Sequence, residues 1–591
     1  MTAHAPLPDA DAEADTALHR VRAGWHHLQL QRPLAAWASW QRALRIDPDH
    51  EAARRAVDTL ATAPELPAPA RAVYRFRNPA DPALRSRWDD RLRGRELSEL
   101  DAAADAFAAL TNDNPADADA WDNLALCRAW MGRNADAVAC LDRVVSLRAA
   151  ADPERAEAAW TLAEVLRQGA GAEPLADDFR YAWVLDRLDG PAPAPADALF
   201  ARWPDLVPVP MPTDPITGER QLDAGQVYEW LDRSPDAAGP DVGRAQDLPR
   251  VLATVIRTPA LVRISSPDPS GLAALEATEV GRALAGARRE KTPLPIAWSD
   301  SALGTFRLPA GLDDAARASL SRSVVEHYFE DLWVHQPRQA LGGLTPLESA
   351  RVAGRGDVVA RARLAAVVRY REHLGSRSTH AAVYQGYPFD RLRRRLGLVA
   401  AVESVALDAD DVTCMSEREL DALDAAALDD HRLAQSFLSA ASLCDDARAA
   451  RFAAALARRA PSARAGLDPA AVFAPLVRES LRLGDPDEAL DWLKTALTGA
   501  GETPTRVFTV WSAEIQARSG RPDAALRAYL ALLSRPGSDA ALALDGAETL
   551  LDNGHPEQAL PLLLEARTRA RQAGDGETLR TAEALLARRT V

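Results

Sequence analysis

The chain has 591 residues, of which 47% are hydrophobic and 26% charged, with a formal net charge of −15. That length exceeds what one hydrophobic core supports, so several domains are expected, and the acidic balance argues against a general affinity for nucleic acid. No apolar run approaches the ~18 residues of a membrane span, and the opening MTAHAPLPDADAEAD lacks the basic start and apolar stretch of a signal peptide, so a cytoplasmic protein with no membrane partner is expected.

Residues 1–186 are assigned to a helical array built of two-helix units. Gly24, Ala36, Trp40, Ala43 and Pro48 mark one unit, and Ala103, Phe107 and Pro115 close another. The most complete unit runs from about 118 to 151, with Trp121, Leu124, Gly132, Ala137 and Leu141, and Trp160 opens a further helix pair. The stretch from Pro64 to Asp90 is too rich in proline to be a unit. Residues 187–215 follow as a linker rich in proline and alanine, semi-rigid and extended.

Residues 216–310 read as a small α/β module. Short β-branched or aromatic runs at Leu261–Ile264, Leu294–Trp298 and Thr305–Leu308 predict strands, with a helix-like stretch from Gly271 to Glu290 between the first two. Residues 311–398 form a second, helical module around Trp333, Pro337 and the run Ala340-Leu-Gly-Gly-Leu-Thr-Pro-Leu-Glu-Ser-Ala350. Gly342 and Gly343 end a helix there; Thr345 caps the next, Pro346 fits its first turn, and Glu348 reaches back to complete a capping box. This stretch, through Gly356 and Val358, resembles the C-terminal toxin-binding domain of the Xre/MbcA/ParS antitoxins, whose L-G-G-x-[ST]-P element follows a conspicuous tryptophan. The resemblance covers about 45 residues and implies a small helical fold. The DNA-binding domain usual in that family is not recognisable in this chain, so an antitoxin role is not carried over.

Residues 399–465 are assigned to a helical spacer and 466–591 to a C-terminal array. In that array a heptapeptide occurs three times, beginning at Gly484, Gly520 and Gly554, at intervals of 36 and 34 residues. Each copy has a glycine suited to ending a helix in the left-handed conformation. A proline two residues on suits the first turn of the next helix, and the Asp or Glu after it complements the helix dipole. Small residues Ala489, Ala525 and Ala559 stand where two helices approach, and Leu493, Tyr529 and Leu563 follow on the same face. With this period and spacing, both ends of the chain resemble the tetratricopeptide repeat (TPR) family. The resemblance covers about half the chain and implies stacked helix pairs that bind peptides or helices in a groove.

The fold class is therefore mainly α: two TPR-like α-solenoid arrays flanking a small α/β plus helical central module. The function expected is an intracellular interaction scaffold with a protein or peptide partner, no catalysis and no cofactor. Arg478, Glu514 and Glu548 hold equivalent first-helix positions in the C-terminal array and are the expected partner-binding residues. Some family members clamp chain-terminal carboxylates with Lys, Asn and Arg; Asp122, Leu126 and Ala129 stand at corresponding positions and do not supply that clamp.

An alternative is recognition of nucleic acid or an acidic partner by residues 351–396, which carry 11 Arg against Asp357, Glu372 and Asp390 and end in Arg391, Arg393, Arg394 and Arg395. Residues 402–430 carry ten acids against Arg418, so neutralisation within the chain is the simpler expectation. Arginine excess is general here, since only Lys291 and Lys494 of the 70 basic residues are lysine, a bias that reads as a GC-rich bacterial genome. A third alternative is an enzyme in the central α/β module. No P-loop, Rossmann, G-x-S-x-G or H-E-x-x-H pattern is present, and Cys127, Cys140, Cys414 and Cys444 form no C-x-x-C pair. His327 and Asp331 share a helical face, but two ligands do not make a zinc site. Glu326 and Asp331 are the residues to name if catalysis exists.

Overall fold

The computed structural model describes residues 16–64, 66–78, 82–83, 85–86, 100–168, 179–186, 206–209, 225–234, 245–258, 261–266, 272–273, 288–289, 294–295, 306–309, 311–376, 384, 386–399, 408–498 and 502–588. The chain is mainly helical and divides into two compact units, Met1–Ala406 and Leu407–Val591. Among the described residues no helix is long and apolar enough to cross a membrane.

The first unit opens with helices α1 (Ala17–Gln29), α2 (Pro33–Ile46), α3 (Glu51–Thr62) and the short α4 (Ala68–Arg71). Helices α5 (Leu100–Asp113), α6 (Ala118–Trp130), α7 (Asn134–Arg148) and α8 (Pro153–Gln168) follow. Local chemistry sets their ends. The Thr16 side chain accepts from the His19 amide, and Asp117 accepts from the amides of Asp119 and Ala120, each satisfying donors that the first turn leaves open. Trp40 of α2 is wholly buried against α1 and donates to the Val21 carbonyl at 3.2 Å, so this core indole has its polar atom satisfied.

A sheet follows, made of β1 (Phe179–Asp186), β2 (Leu206–Val209), β3 (Gln226–Leu231), β4 (Val251–Arg257), β5 (Leu261–Ser266), β6 (Arg288–Arg289) and β7 (Leu294–Pro295). The strand order is β2-β3-β4-β5-β1-β6, with β7 also on β1, and every pairing is antiparallel. Alternation sets the faces: Ala253 and Val255 of β4 and Val262 and Ile264 of β5 point into the core. Pro208, which cannot donate to a ladder, lies on the outermost strand β2 opposite Tyr228.

The sheet corrects three assignments. Strand β1 lies within residues 1–186, so the helical array stops before that boundary, and β2 lies within the segment expected to be a linker. Of the helix expected over Gly271–Glu290, Leu272 and Ala273 are helical, Arg288 and Arg289 are in β6, and 274–287 lie outside the described residues. Leu261–Ile264 falls in β5, Leu294 in β7, and Phe306 bridges to Arg250.

Helix α9 (Asp314–His327) covers the Phe306 end of the sheet through Leu320 and Val324, against Ala245 and Leu248. Its tail widens into a π-helical turn, Tyr328–Leu332, leading to α10 (Pro346–Gly354), α11 (Val358–Gly375) and α12 (Phe389–Arg395). Thr345 and Glu348 form the reciprocal capping box at the start of α10, at 3.1 and 2.8 Å. Trp333 is buried with the guanidiniums of Arg338 and Arg371 over its ring. This module packs on the N-terminal helices, because α11 lies along α8. Trp160 of α8 donates to the Ala340 carbonyl at 3.0 Å and lies under Arg363, while Arg369 pairs with Glu157 at 3.0 Å. The helix laid against the Trp160 helix thus comes from 358–375.

The second unit contains α13 (Glu417–Ala422), α14 (Asp430–Ser442), α15 (Asp446–Ala457), α16 (Pro469–Arg482), α17 (Pro486–Leu497), α18 (Glu502–Arg518), α19 (Pro522–Leu533), α20 (Ala540–Asp552), α21 (Pro556–Ala573) and α22 (Gly576–Arg588). Gly484, Gly520 and Gly554 have φ of 79, 71 and 78°, and α17, α19 and α21 each start at the proline two residues later. Residues 399–465 were expected to be a spacer; instead α14 pairs with α15, and α15 packs on α16 as part of the same unit. At the α14–α15 turn Cys444 adopts φ 53°, the conformation glycine takes in the other hairpins. Tyr529, Leu562 and Leu563 centre the C-terminal core. Gly546 admits the Tyr529 ring, which a Cβ there would meet at 2.8 Å.

Candidate functional site

In the first unit, α6 is buried on almost every face, and several of its buried residues are polar: Asp119, Asp122 and Asn123. Buried polar groups require partners. Those of Asn123, fully buried, are the main-chain atoms of one residue: its Oδ1 accepts from the Arg77 amide at 2.8 Å and its Nδ2 donates to the Arg77 carbonyl at 2.9 Å. Residues 72–78 belong to no helix or strand. The Arg77 guanidinium pairs with Asp122 at 2.6 Å, and Phe76 packs on Phe107 and Trp130, ring centroids 5.0 and 5.3 Å away.

The electrostatics continue inward. Arg155 contacts Asp119 and Asp122, and Arg148 pairs with Asp119 at 3.1 Å, so acids and guanidiniums alternate across α6, α7 and α8. Burial nonetheless holds the Asp122 carboxyl above its ordinary value, outweighing the opposing pull of Arg77 and Arg155. Beside residues 73–77 lies a cavity of about 510 Å³ reaching Leu126, Arg155, Leu162, Arg369 and His373. Burial, then Arg369, lowers the His373 pKa. Of the three positions Asp122, Leu126 and Ala129, the first two line this groove and Ala129 does not. Asn123, one position along, was overlooked; its signal is an amide inside the otherwise apolar run Asn-Leu-Ala-Leu-Cys.

In the second unit, Arg478 and Glu514 both line a groove of about 240 Å³, together with Ala474, Val477 and Leu481 of α16 and Trp511, Ile515 and Arg518 of α18. Arg478 is held by a bidentate pair with Asp446 at 2.8 and 2.9 Å, which sets the guanidinium at one edge. Burial raises the Glu514 pKa, opposed by Arg518 and reinforced by Asp545. Glu548 does not line this groove; it stands on α20, where burial and then Asp545 and Asp552 raise its pKa. Trp511 was legible three residues before Glu514 on the same helical face.

The arginines 391–395 turn inward. Arg391 grips the buried Glu330 with two hydrogen bonds of 2.8 and 2.9 Å, and the Tyr387 hydroxyl donates to the same carboxylate at 3.1 Å. Arg393 pairs with Glu372 and Asp390, and Arg394 and Arg395 are each 1% exposed. Contact of Arg394 and Arg395 with phosphates is therefore corrected: their guanidiniums are sealed inside the helical module. The acids of 408–430 meet arginines of their own unit, Asp410 with Arg432, Glu417 and Asp421 with Arg448, Asp430 with Arg459. Each charge block thus finds partners within its own unit.

His327 Nδ1 and Asp331 Oδ2 are 2.7 Å apart, one helical turn from each other, and Glu326 is exposed. Among the described residues no group of three or more His, Cys, Asp or Glu side chains converges as a metal site. No protein-family model matches the chain, and a search of curated proteins finds none similar to it.

Proposed function

We propose that the protein is an interaction scaffold of the tetratricopeptide kind, working in the bacterial cytosol, whose grooves take extended segments of other proteins and perform no catalysis. The observation that carries this reading is the lined groove between α16 and α18, and the hold of Asn123 on the main chain of Arg77 agrees with it. A side-chain amide that gives and receives one hydrogen bond with the same residue recognises extended backbone whatever side chain it bears. The groove between α16 and α18 offers a complementary arrangement. It has an apolar floor with Trp511 as anchor, and a fixed cation and a carboxylate at its edges.

Arg478 and Glu514 are the proposed partner contacts of that groove, with Trp511 and Arg518 beside them. The test is affinity capture from a native lysate with the full chain and with its Trp511→Ala/Arg478→Ala variant. A partner held by the first and released by the second ties recognition to the groove. Loss of a buried aromatic anchor costs about 2 kcal/mol or more, which a quantitative capture resolves as a ≥30-fold loss of affinity. Equal retention by both proteins would remove the groove from the account.

A further inference from the structure

Part of the first unit's groove is already filled, and the way it is filled says what it recognises. Four features of the segment are relevant. Among the described residues its main chain is held at Arg77 by the Asn123 side chain, in the manner of an external strand. Its Phe76 ring enters an aromatic corner made by Phe107 and Trp130, which Trp37 backs at 6.0 Å. Its Arg77 meets Asp122, which Arg155 also approaches. Of its remaining residues Ala72, Val73, Arg75 and Asn78 are exposed, while Tyr74 is largely buried near Asp122 and its hydroxyl donates to the nearby Pro69 carbonyl.

We propose that residues 73–78 are an internal ligand closing this groove, and that the external partner is an extended peptide carrying an aromatic residue followed by arginine. The inference rests on the peptide-binding reading above and adds to it the partner's chemistry and a means of regulation. A competing peptide that reproduced only the Phe-Arg contacts would face the high effective concentration of a tethered rival, on the millimolar scale. The cavity of about 510 Å³ beside residues 73–77 gives a longer peptide contacts that the internal segment leaves unmade, against Leu126, Leu162 and the guanidiniums of Arg155 and Arg369. Occupancy therefore changes hands for a partner that fills this space as well, for a simple Phe-Arg peptide supplied in excess of that effective concentration, or when the segment is drawn away.

The probe is a labelled, end-capped synthetic peptide with the sequence of residues 72–78, AVYRFRN, titrated into the full-length protein and followed by fluorescence anisotropy. The full-length Phe76→Ala/Arg77→Ala variant, in which the internal segment keeps only its main-chain hold, binds the peptide at least about ten-fold tighter than the unaltered protein. Adding Asn123→Ala abolishes that gain, and a peptide with alanine at the Phe and Arg positions shows none.

Because emptying an aromatic corner can unfold a protein, hydrogen exchange on the unaltered protein provides a second readout. The Arg77 amide, donated to Asn123, is protected at rest and exchanges faster under excess peptide, while the amides of α6 keep their rates. A variant that retains its thermal transition yet binds no better than the unaltered protein overturns the proposal. If that variant does not fold, an Arg77 amide indifferent to saturating peptide overturns it. Capture through the Trp511 groove is read separately, so these failures would leave the scaffold reading standing.

Discussion

His27 shows how much of this protein's behaviour is decided by single side chains in tight places. It packs under Gly132, whose Cβ, if present, would stand 3.0 Å from the ring, and its Nδ1 is buried with no hydrogen-bond partner among the described residues. Burial, with Arg32 and His26 nearby, pushes its pKa down to about 4. The unfolded chain, with an ordinary histidine, therefore binds the extra proton between about 6.5 and 4 while the folded chain does not. Stability from this group is fully present above about pH 6.5 and is lost as pH falls towards 4. Thermal melts across that window should show a falling midpoint, and His27→Gln should flatten that part of the slope. The inward arginines belong to the same scale. Sequence shows a run of guanidiniums and cannot show that Glu330 waits for Arg391 in the middle of a π-helical turn 61 residues earlier.

At the scale of elements, the helices of the second unit are largely written locally, because glycine at positive φ and proline in the first turn act over a few residues. The α14–α15 hairpin was overlooked because its turn lacks that glycine. Cys444 takes the left-handed conformation at φ 53°, where a Cβ is strained by about 1 kcal/mol. Cys444→Gly should raise the stability of the second unit by about that amount, read as a higher midpoint in denaturant melts; an unchanged or lower midpoint would show that the turn is not strained. The strands were harder to see. Strand β2 is Leu-Val-Pro-Val inside a proline-rich stretch, and a proline that would break a central strand is harmless on an outer one.

At the scale of the whole first unit, α8 lies against α11, so residues assigned to an N-terminal array are completed by a helix from the central module. The anchors are Trp160 to Ala340 and Arg369 to Glu157. A fragment ending at residue 168 should therefore expose the α11-facing side of α8, bind a hydrophobic dye and melt below the same helices in the full chain. A fragment that melts at the full-chain temperature and excludes the dye would show that α11 is dispensable.

The sequence by itself determined the mainly helical character, the turns of the C-terminal hairpins and the capping box at Thr345. All of these follow from periodicity and turn chemistry within some 36 residues, where geometry is repetitive and few outcomes compete. Only the tertiary structure decided that β1 leaves the helical array for a sheet, that α11 covers α8, that Arg394 and Arg395 face inward, and that residues 72–78 occupy the groove beside Asn123. Each depends on complementarity between segments far apart in the chain, which no local pattern encodes, because burial rewards whichever distant surface fits.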